Sequence, residues 1–382
     1  MSFDEEVVSF GHAGPFRAKA GLGDEMPEVD EVREEARKNT RGRFEQWAKN
    51  PTCEANTLSA VHNVRLDKVA IEAGLTPSFG QSPFAIARGN RFEAGLFMDD
   101  AARLRAALER KGALPDGSSG FLDLRLRLNG GTRVHSIEQA LSETEEWLQR
   151  VATASESVES VVAAPMIRIP RGVILPEALL IIDVAVVTAS VAGCRQIAVG
   201  EVKVFPDRGG HTDSQQLASA RAQAGLYQHA LDLVVGSLGL EAQIAVATEG
   251  ILIFTWPGSN SPAVRAGEDL TYQAIRARRG FDRLEEVAFK LVRDDDFSAD
   301  NPTLIQRVLE APTDYSEACL AFCDLAPRCH RQAADADDPI ILGGEVKRAL
   351  GTTPITRALE LLAGAEPAND READLQRQLV DS

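Results

Sequence analysis

The apolar positions in the middle of the chain mostly form short runs typical of buried strands, with one long stretch at helical spacing. The helical stretch covers residues 213–238, and "AQIAVATEGILIFTW" (242–256) predicts one or two strands. Three earlier apolar runs, bounded by turn residues, also predict strands. They are "VESVVAAPMIRI" (158–169), "EALLIIDVAVV" (177–187) and "QIAVGEVKVF" (196–205). We therefore predict a mixed β-sheet flanked by helices, an α/β fold.

Helical patterns lie on both sides of this region. They cover 29–50, 56–75, 83–111, 137–153, 268–293 and 300–311. Asn56 is the predicted N-cap of the second helix, and Pro83 lies near the start of the third. We predict five parts: an acidic, loosely ordered N-terminus (1–27), a helical part (28–157), the core sheet with its helix (158–260), a helical part with clustered cysteines (261–335) and an acidic C-terminal tail (336–382).

The composition is that of a water-exposed globular protein. Of 382 residues, 44% are hydrophobic and 26% charged, which is the ordinary range for such a chain. The longest apolar run, "ALLIIDVAVV", is interrupted by Asp183, and the N-terminus "MSFDEEVV" lacks the pattern of a signal peptide. We expect a cytoplasmic protein without a membrane segment.

The net charge of −16 argues at first against a nucleic-acid partner. Its distribution weakens the objection, because the acid excess is concentrated in the first 35 and last 53 residues. The central part contains the basic clusters "RGNR" (88–91) and "RARRG" (276–280). Charge therefore permits DNA binding without predicting it.

Three charged residues lie inside the predicted strands. Asp183 interrupts an apolar run, while Glu201 and Lys203 lie two residues apart on a later strand and so share one face. Carboxylates from two neighbouring strands suit a hard divalent cation, and a lysine beside them can orient a water molecule. The alternative is a buried charge cluster that holds two strands in register. Spacing alone does not separate these two interpretations.

Further residues produce a resemblance to a known family. Gln223 and Tyr227 lie four apart on the helix after the Glu-x-Lys strand, and Glu93 follows Gly89 by four residues. The order G-x-x-x-E, D, E-x-K, Q-x-x-x-Y resembles the RecB-like branch of the PD-(D/E)XK nuclease superfamily, over roughly residues 85–255. The resemblance implies a restriction-endonuclease-like core and hydrolysis of DNA phosphodiesters.

The same resemblance implies a role for each matched residue. Asp183 and Glu201 would bind Mg²⁺ or Mn²⁺ together with the backbone carbonyl of Val202, and Lys203 would assist the attacking water. Glu93 would lie at the helix position from which many members reach the metal. Gln223 and Tyr227 would position DNA and the lysine. The residue before Asp183 is Ile182, where many members have proline.

Three of the five cysteines are close together in the segment "CLAFCDLAPRC": Cys319, Cys323 and Cys329. Three thiols at such spacing can converge on one metal centre, and a cytoplasmic chain is not expected to form disulfides. A closed zinc site or a four-cysteine iron–sulfur cluster needs a fourth ligand. The candidates are Cys53, Cys194 and His330, and spacing alone does not separate zinc from iron–sulfur.

The resemblance favours a cluster. An iron–sulfur subset of the RecB-like nucleases, which includes the AddB type and the CRISPR-associated adaptation nucleases, has one cysteine before the core and three after it. By that layout Cys53, Cys319, Cys323 and Cys329 would hold a [4Fe–4S] cluster that joins the helical N- and C-terminal parts. The first gap in the trio is x3 here, where the subset usually has x2. Cys194 would be a plain free thiol.

The sequence thus predicts a metal-dependent DNase that processes single strands or ends, in repair, recombination or phage defence. No G-x-x-x-x-G-K-[ST] motor motif is present, so a helicase or another repair or defence subunit is the expected partner. The alternative is an inactive scaffold of the same fold that binds DNA or partner proteins. A site-specific restriction-type endonuclease shares the chemistry but fits the Gln-Tyr helix and the cysteines less well.

Overall fold

The computed structural model describes most of the chain. The described residues are 39–79, 83–115, 120–126, 135–153, 158–169, 178–191, 193–291 and 301–381. The acidic segment predicted at 1–27 and the first part of the helix predicted at 29–50 lie outside these ranges.

The chain divides into two compact units. Pro83–Pro170 and Leu179–Arg278 belong to the first unit, which contains the sheets. Val32–Ser82 and Arg279–Ser382 belong to the second, which is helical in its described residues. The second unit also includes the short segment Arg171–Ala178, so it is built from three segments of the chain, of which Val32–Ser82 and Arg279–Ser382 are the long ones.

A mixed seven-stranded sheet forms the centre of the first unit. The strands in chain order are β1 (Phe121–Asp123), β2 (Val161–Ala163), β3 (Met166–Arg168), β4 (Leu179–Ile181), β5 (Val184–Val191), β6 (Cys194–Pro206), β7 (Ile244–Val246), β8 (Glu249–Thr255) and β9 (Pro262–Asp269). The sheet has the order β1-β2-β5-β6-β8-β9, with β7 also paired to β6. Strands β3 and β4 form a separate antiparallel pair. This confirms the predicted mixed α/β architecture at the level of the sheet and its flanking helices.

Two predicted strands are each broken in the middle. The strand predicted at 158–169 becomes β2 and β3, and that at 177–187 becomes β4 and β5. Ala164 adopts a left-handed conformation (φ 53°), and its N–H donates to the carbonyl oxygen of Asp183 at 3.0 Å. The bend that results ends the main sheet at Asp183, which periodicity could not predict because apolar residues continue through the break.

The helices of the first unit are α4 (Pro83–Leu96), α5 (Met98–Arg110), α6 (Ile137–Ala152), α7 (Ser214–Ser237) and the first part of α8 (Thr271–Leu291). Apolar residues of α4 and α5, among them Phe92 and Leu104, pack with Val184, Ile253 and Val202 on one face of the sheet. Because side chains alternate along a strand, Glu201 and Lys203 lie on the opposite face from Val202. Helix α7 also packs against β6 and β8.

The long helix predicted at 83–111 is wrong, because it is two helices. Phe97 separates α4 from α5, and Asp99, Asp100 and Ala101 have positive φ angles at the start of α5. By contrast, the helices predicted at 137–153 and 213–238 are confirmed as α6 and α7. A capping box at Ser136 begins α6, and the Asp213 carboxylate accepts from the first-turn amides of α7.

Strands β1 and β9 were not predicted from the sequence. β1 has only three residues, and the pattern of β9 is obscured by "RAGED". Because β9 extends to Asp269, helix α8 begins at Thr271 and not at 268. The strand prediction for 242–256 is confirmed as β7 and β8.

The described helices of the second unit are α1 (Thr40–Lys49), α2 (Glu54–Val61), α3 (Leu66–Glu72), α9 (Pro302–Glu310), α10 (Ala326–Ala336), α11 (Gly343–Leu350), α12 (Ile355–Leu362) and α13 (Asp370–Asp381), together with the last part of α8.

The single helix predicted at 56–75 is wrong. Asn63 turns the chain with a positive φ of 58°, and α2 begins after Cys53, so Asn56 lies inside the helix. Helix α9 confirms the prediction at 300–311.

The C-terminal segment predicted as an acidic tail contains three helices. Leu350, Ala358, Leu361 and Leu375 form a small buried cluster between them. Among the described residues, none of the helices combines the length and apolar character needed to cross a bilayer.

Candidate active site and cysteine cluster

Asp183 and Glu201 are brought opposite each other by strand register. Val184 pairs with Gly200 in the antiparallel ladder of β5 and β6, so the next step of the register sets Asp183 against Glu201. Directly opposite residues of an antiparallel pair have side chains on the same face. The two carboxylates predicted to act together are therefore neighbours at the start of β5.

Two hydrogen bonds orient the Asp183 carboxylate. The backbone N–H of Val202 donates to Oδ2 at 2.9 Å, and the hydroxyl of Tyr227 donates to Oδ1 at 3.0 Å. Tyr227 is fully buried on α7, so the strand and the helix both hold this one side chain. A carboxylate oxygen has more than one acceptor direction, so these bonds leave capacity for a further ligand.

Lys203 neutralises the charge of Glu201. Its Nζ lies 2.6 Å from Glu201 Oε1, and the Glu201 side chain has no exposed surface. A fully buried carboxylate costs several kcal/mol unless it is paired or binds a cation. The Lys203 side chain is 19% exposed, so one partner of the pair is partly in contact with solvent.

Gln223 and Tyr227 share one face of α7, as predicted, but their contacts differ. The Tyr227 hydroxyl reaches Asp183, while the Gln223 side-chain oxygen is buried and makes no hydrogen bond to any described residue. An unsatisfied amide oxygen beside a polar site can accept from a ligand. The DNA-positioning role of Gln223 stays a prediction.

Glu93 does not join the two carboxylates in a group. It is exposed on α4, and its charge acts on Arg125, whose pKa is raised chiefly by a hydrogen bond to Asp123 and also by Glu93. Among the described residues, no set of three or more His, Cys, Asp or Glu side chains is arranged so that it could hold a metal ion. The metal-binding role of Glu93 stays a prediction.

The oxygen ligands at the start of β5 nevertheless fit a hard divalent cation. Asp183 and Glu201 supply carboxylate oxygens from adjacent strands, and the backbone of Val202 lies beside them. Mg²⁺ is usually bound by one or two carboxylates with several waters, and so does not need three acidic side chains.

A charged network that sequence reasoning missed holds the loop after β6. Glu268 accepts from Arg221 of α7 and from Arg265 of β9, both at 2.7 Å. Asp207 accepts from the Gly210 N–H at 3.1 Å and lies 4.0 Å from the Arg265 guanidinium. The glycine-rich loop is thus a braced connector between β6 and α7. The charged residues could be read from the sequence, but which of them pair depends on where β9 lies.

The four cysteines predicted to form one centre lie in one buried cluster of the second unit. Cys53, Cys319, Cys323 and Cys329 are each at most 9% exposed. Cys53 interacts electrostatically with Cys319 and Cys329, and Cys323 with Cys319 and Cys329. The thiols are thus neighbours in one cluster, although they are not already arranged around a common metal position.

The surroundings of the four cysteines favour ionisation of one thiol, that of Cys319. A hydrogen bond from Cys323 lowers the pKa of the Cys319 thiol to about 5, and the same bond raises the pKa of Cys323. Burial raises the pKa of Cys53 and of Cys329. Because thiolates are the form that binds metals, four buried neighbouring thiols fit the donor set of a zinc or iron–sulfur site.

Of the two other candidate ligands, Cys194 belongs to the first unit, whereas His330 contacts Tyr315, a member of this cluster. Cys194 begins β6 in the first unit, with its sulfur 3.3 Å from the carbonyl oxygen of Ala242. His330 is exposed, and its ring packs edge-on against Tyr315 with 4.9 Å between centroids. Cys53 is the fourth cysteine that the fold places with the trio.

Comparison with known proteins found no relative. No protein-family model matches the sequence, and the searches of curated proteins and of solved structures found no similar chain.

Proposed function

We propose that the protein is a metal-dependent DNA nuclease whose active centre is formed by Asp183, Glu201 and Lys203. The observation that carries the proposal is the convergence of these residues where β5 begins beside β6, with the Tyr227 hydroxyl bound to Asp183. The residues come from two strands and one helix. These residues occur along the chain in the same order as in the RecB-like nucleases, which the sequence resembles.

A divalent cation bound by Asp183 and Glu201 would supply a nucleophilic water and neutralise charge on the phosphate. Val202 and Tyr227 hold the Asp183 carboxylate in one orientation. Lys203 places a positive charge beside the scissile phosphate, where it favours attack of water on phosphorus and departure of the deoxyribose oxygen. The buried amide of Gln223 positions the DNA strand.

The substrate class follows from the resemblance. Iron–sulfur members of that branch mostly act on single strands or ends, so we propose end processing in repair, recombination or phage defence. A helicase or another subunit would supply the strand, and the four buried thiols would hold a [4Fe–4S] cluster, with zinc as the alternative. Cytoplasmic location is part of the same proposal.

Cleavage of labelled single- and double-stranded DNA with Mg²⁺ or Mn²⁺ tests the activity. Asp183→Asn keeps the size of the side chain but removes its charge. We expect it to lower the cleavage rate by at least about 100-fold, because loss of even an outer partner of a metal site costs about 10- to 100-fold.

The matched control is Asp232→Asn, which changes an exposed carboxylate on the same helix as Tyr227. It should cleave at the wild-type rate. Normal cleavage by Asp183→Asn would contradict the proposed centre, and a fragment ladder from a defined duplex separates end trimming from discrete cuts.

A second candidate function is a non-catalytic scaffold that binds DNA or partner proteins. It is favoured by the fact that Asp183 and Glu201 both have protein partners in Val202, Tyr227 and Lys203. Retained DNA binding without cleavage under either metal, in the wild type, would select this function.

A further inference from the structure

The sulfur of Cys319 is surrounded by hydrogen-bond donors as well as by the other thiols. The side-chain Nδ2 of Asn50 donates to it at 3.2 Å, in a contact that is buried on both sides. Ser316 adds two longer contacts, from its N–H at 3.5 Å and from its hydroxyl oxygen at 3.6 Å. Asn50 comes from the N-terminal segment of the second unit, and Cys319 from the C-terminal segment.

The amide of Asn50 is held in one orientation. Its Oδ1 accepts from the Thr52 hydroxyl at 3.0 Å, and its Nδ2 also donates to the carbonyl oxygen of Asp314 at 2.6 Å. Reversing the amide would oppose oxygen to oxygen at Asp314, because a carbonyl oxygen can only accept. The end that faces the Cys319 sulfur is therefore the donor.

We propose that Asn50 is a positioning residue for the metal centre, which holds the Cys319 sulfur and tunes the reduction potential of the cluster. The inference rests on the proposed four-cysteine iron–sulfur site. Hydrogen bonds to cluster sulfurs stabilise the state with more negative charge, which is the reduced one. The Asn50 amide thus raises the reduction potential.

The experiment measures iron per chain and the potential of one-electron reduction, with dithionite as the reductant, in the full chain purified without oxygen. The variant Asn50→Leu removes the donor and should lower the potential. Asn50→Asp keeps the side-chain shape, replaces the donor by an acceptor, and should lower the potential as well. It serves where the leucine variant does not fold.

The control is Thr57→Val. The Thr57 hydroxyl donates to the Cys53 carbonyl oxygen at 3.0 Å and accepts from Trp47, so this variant loses buried hydrogen bonds in the same region without touching a sulfur. Its potential should equal that of the wild type even if its unfolding midpoint falls.

Three results separate the possibilities. An iron-loaded wild type whose potential is unchanged or raised in both Asn50 variants overturns the inference and leaves the cluster standing. A wild type without iron overturns the cluster and the inference with it. Loss of iron from both Asn50 variants supports the positioning role if their far-ultraviolet circular dichroism shows wild-type helix content and Thr57→Val retains its iron.

Discussion

At the scale of single residues, the pair of Glu201 and Lys203 has a structural role in addition to the proposed catalytic one. The carboxylate is fully buried and the ammonium group lies 2.6 Å away. Removing one partner of such a pair leaves a buried charge uncompensated, whereas removing both charges does not. Stability measurements can therefore isolate the structural part.

We expect Lys203→Met to destabilise the fold by about 3 kcal/mol, because the Glu201 carboxylate loses its counter-charge in a buried position. The double variant Lys203→Met with Glu201→Gln should regain most of that loss. Urea unfolding of the three proteins checks both expectations. If the single variant is as stable as the wild type, the charge of Glu201 is compensated by another group.

At the scale of secondary-structure elements, helix α7 is positioned by close backbone packing against the start of α8. A Cβ added at Gly225 would overlap the Gln273 side chain and lie 2.8 Å from its carbonyl carbon and 2.9 Å from the Ala274 nitrogen. Gly225 lies two residues before Tyr227. The close approach of α7 to α8 therefore also affects the position of the Tyr227 hydroxyl, which binds Asp183.

We expect Gly225→Ala to destabilise the protein by about 2 kcal/mol, because the added methyl group forces α7 away from α8. The matched control is Gly95→Ala in α4, where a Cβ meets no atom within 4 Å. Alanine is the better helix former by up to about 1 kcal/mol, so the control should be neutral or stabilising. Thermal unfolding of both variants measures the difference, and equal midpoints would contradict close packing at Gly225.

At the scale of the whole molecule, the second unit depends on contacts between segments far apart in sequence. The N–H of Ala55 donates to the Pro312 carbonyl oxygen at 3.2 Å, and Asn50 bonds to both Asp314 and Cys319. A metal centre bound by Cys53 and the C-terminal trio would close a loop that contains both long segments of the first unit, Pro83–Pro170 and Leu179–Arg278. Such closure restricts the unfolded chain and so stabilises the folded one.

We expect Cys53→Ser to lower the iron content and the unfolding temperature of anaerobically purified protein, because one of four ligands is lost. Cys194→Ser changes the one cysteine outside the cluster and should leave both unchanged. Iron determination and calorimetry of the two variants check this. Wild-type iron content in Cys53→Ser would remove Cys53 from the ligand set.

Much of the fold could be predicted from local patterns. The Asp213 cap, the capping box at Ser136 and the apolar run of β6 are signals within a few residues, and the predicted elements there are confirmed. Where the prediction was wrong, a single backbone conformation decided the outcome, as at Asn63 and Ala164. Apolar periodicity continues through such residues and does not reveal them.

The sequence by itself singled out the candidate site residues, because a carboxylate in an apolar strand or three thiols in eleven residues cannot be explained by local structure alone. Only the tertiary structure decided which of them meet. The register of β5 and β6 brings Asp183 to Glu201, and the fold of the second unit brings Cys53 to the trio, whereas the charge of Glu93 acts on Arg125. These outcomes depend on contacts between distant segments, whose free energy is set by packing and strand pairing and not by neighbouring residues in the chain.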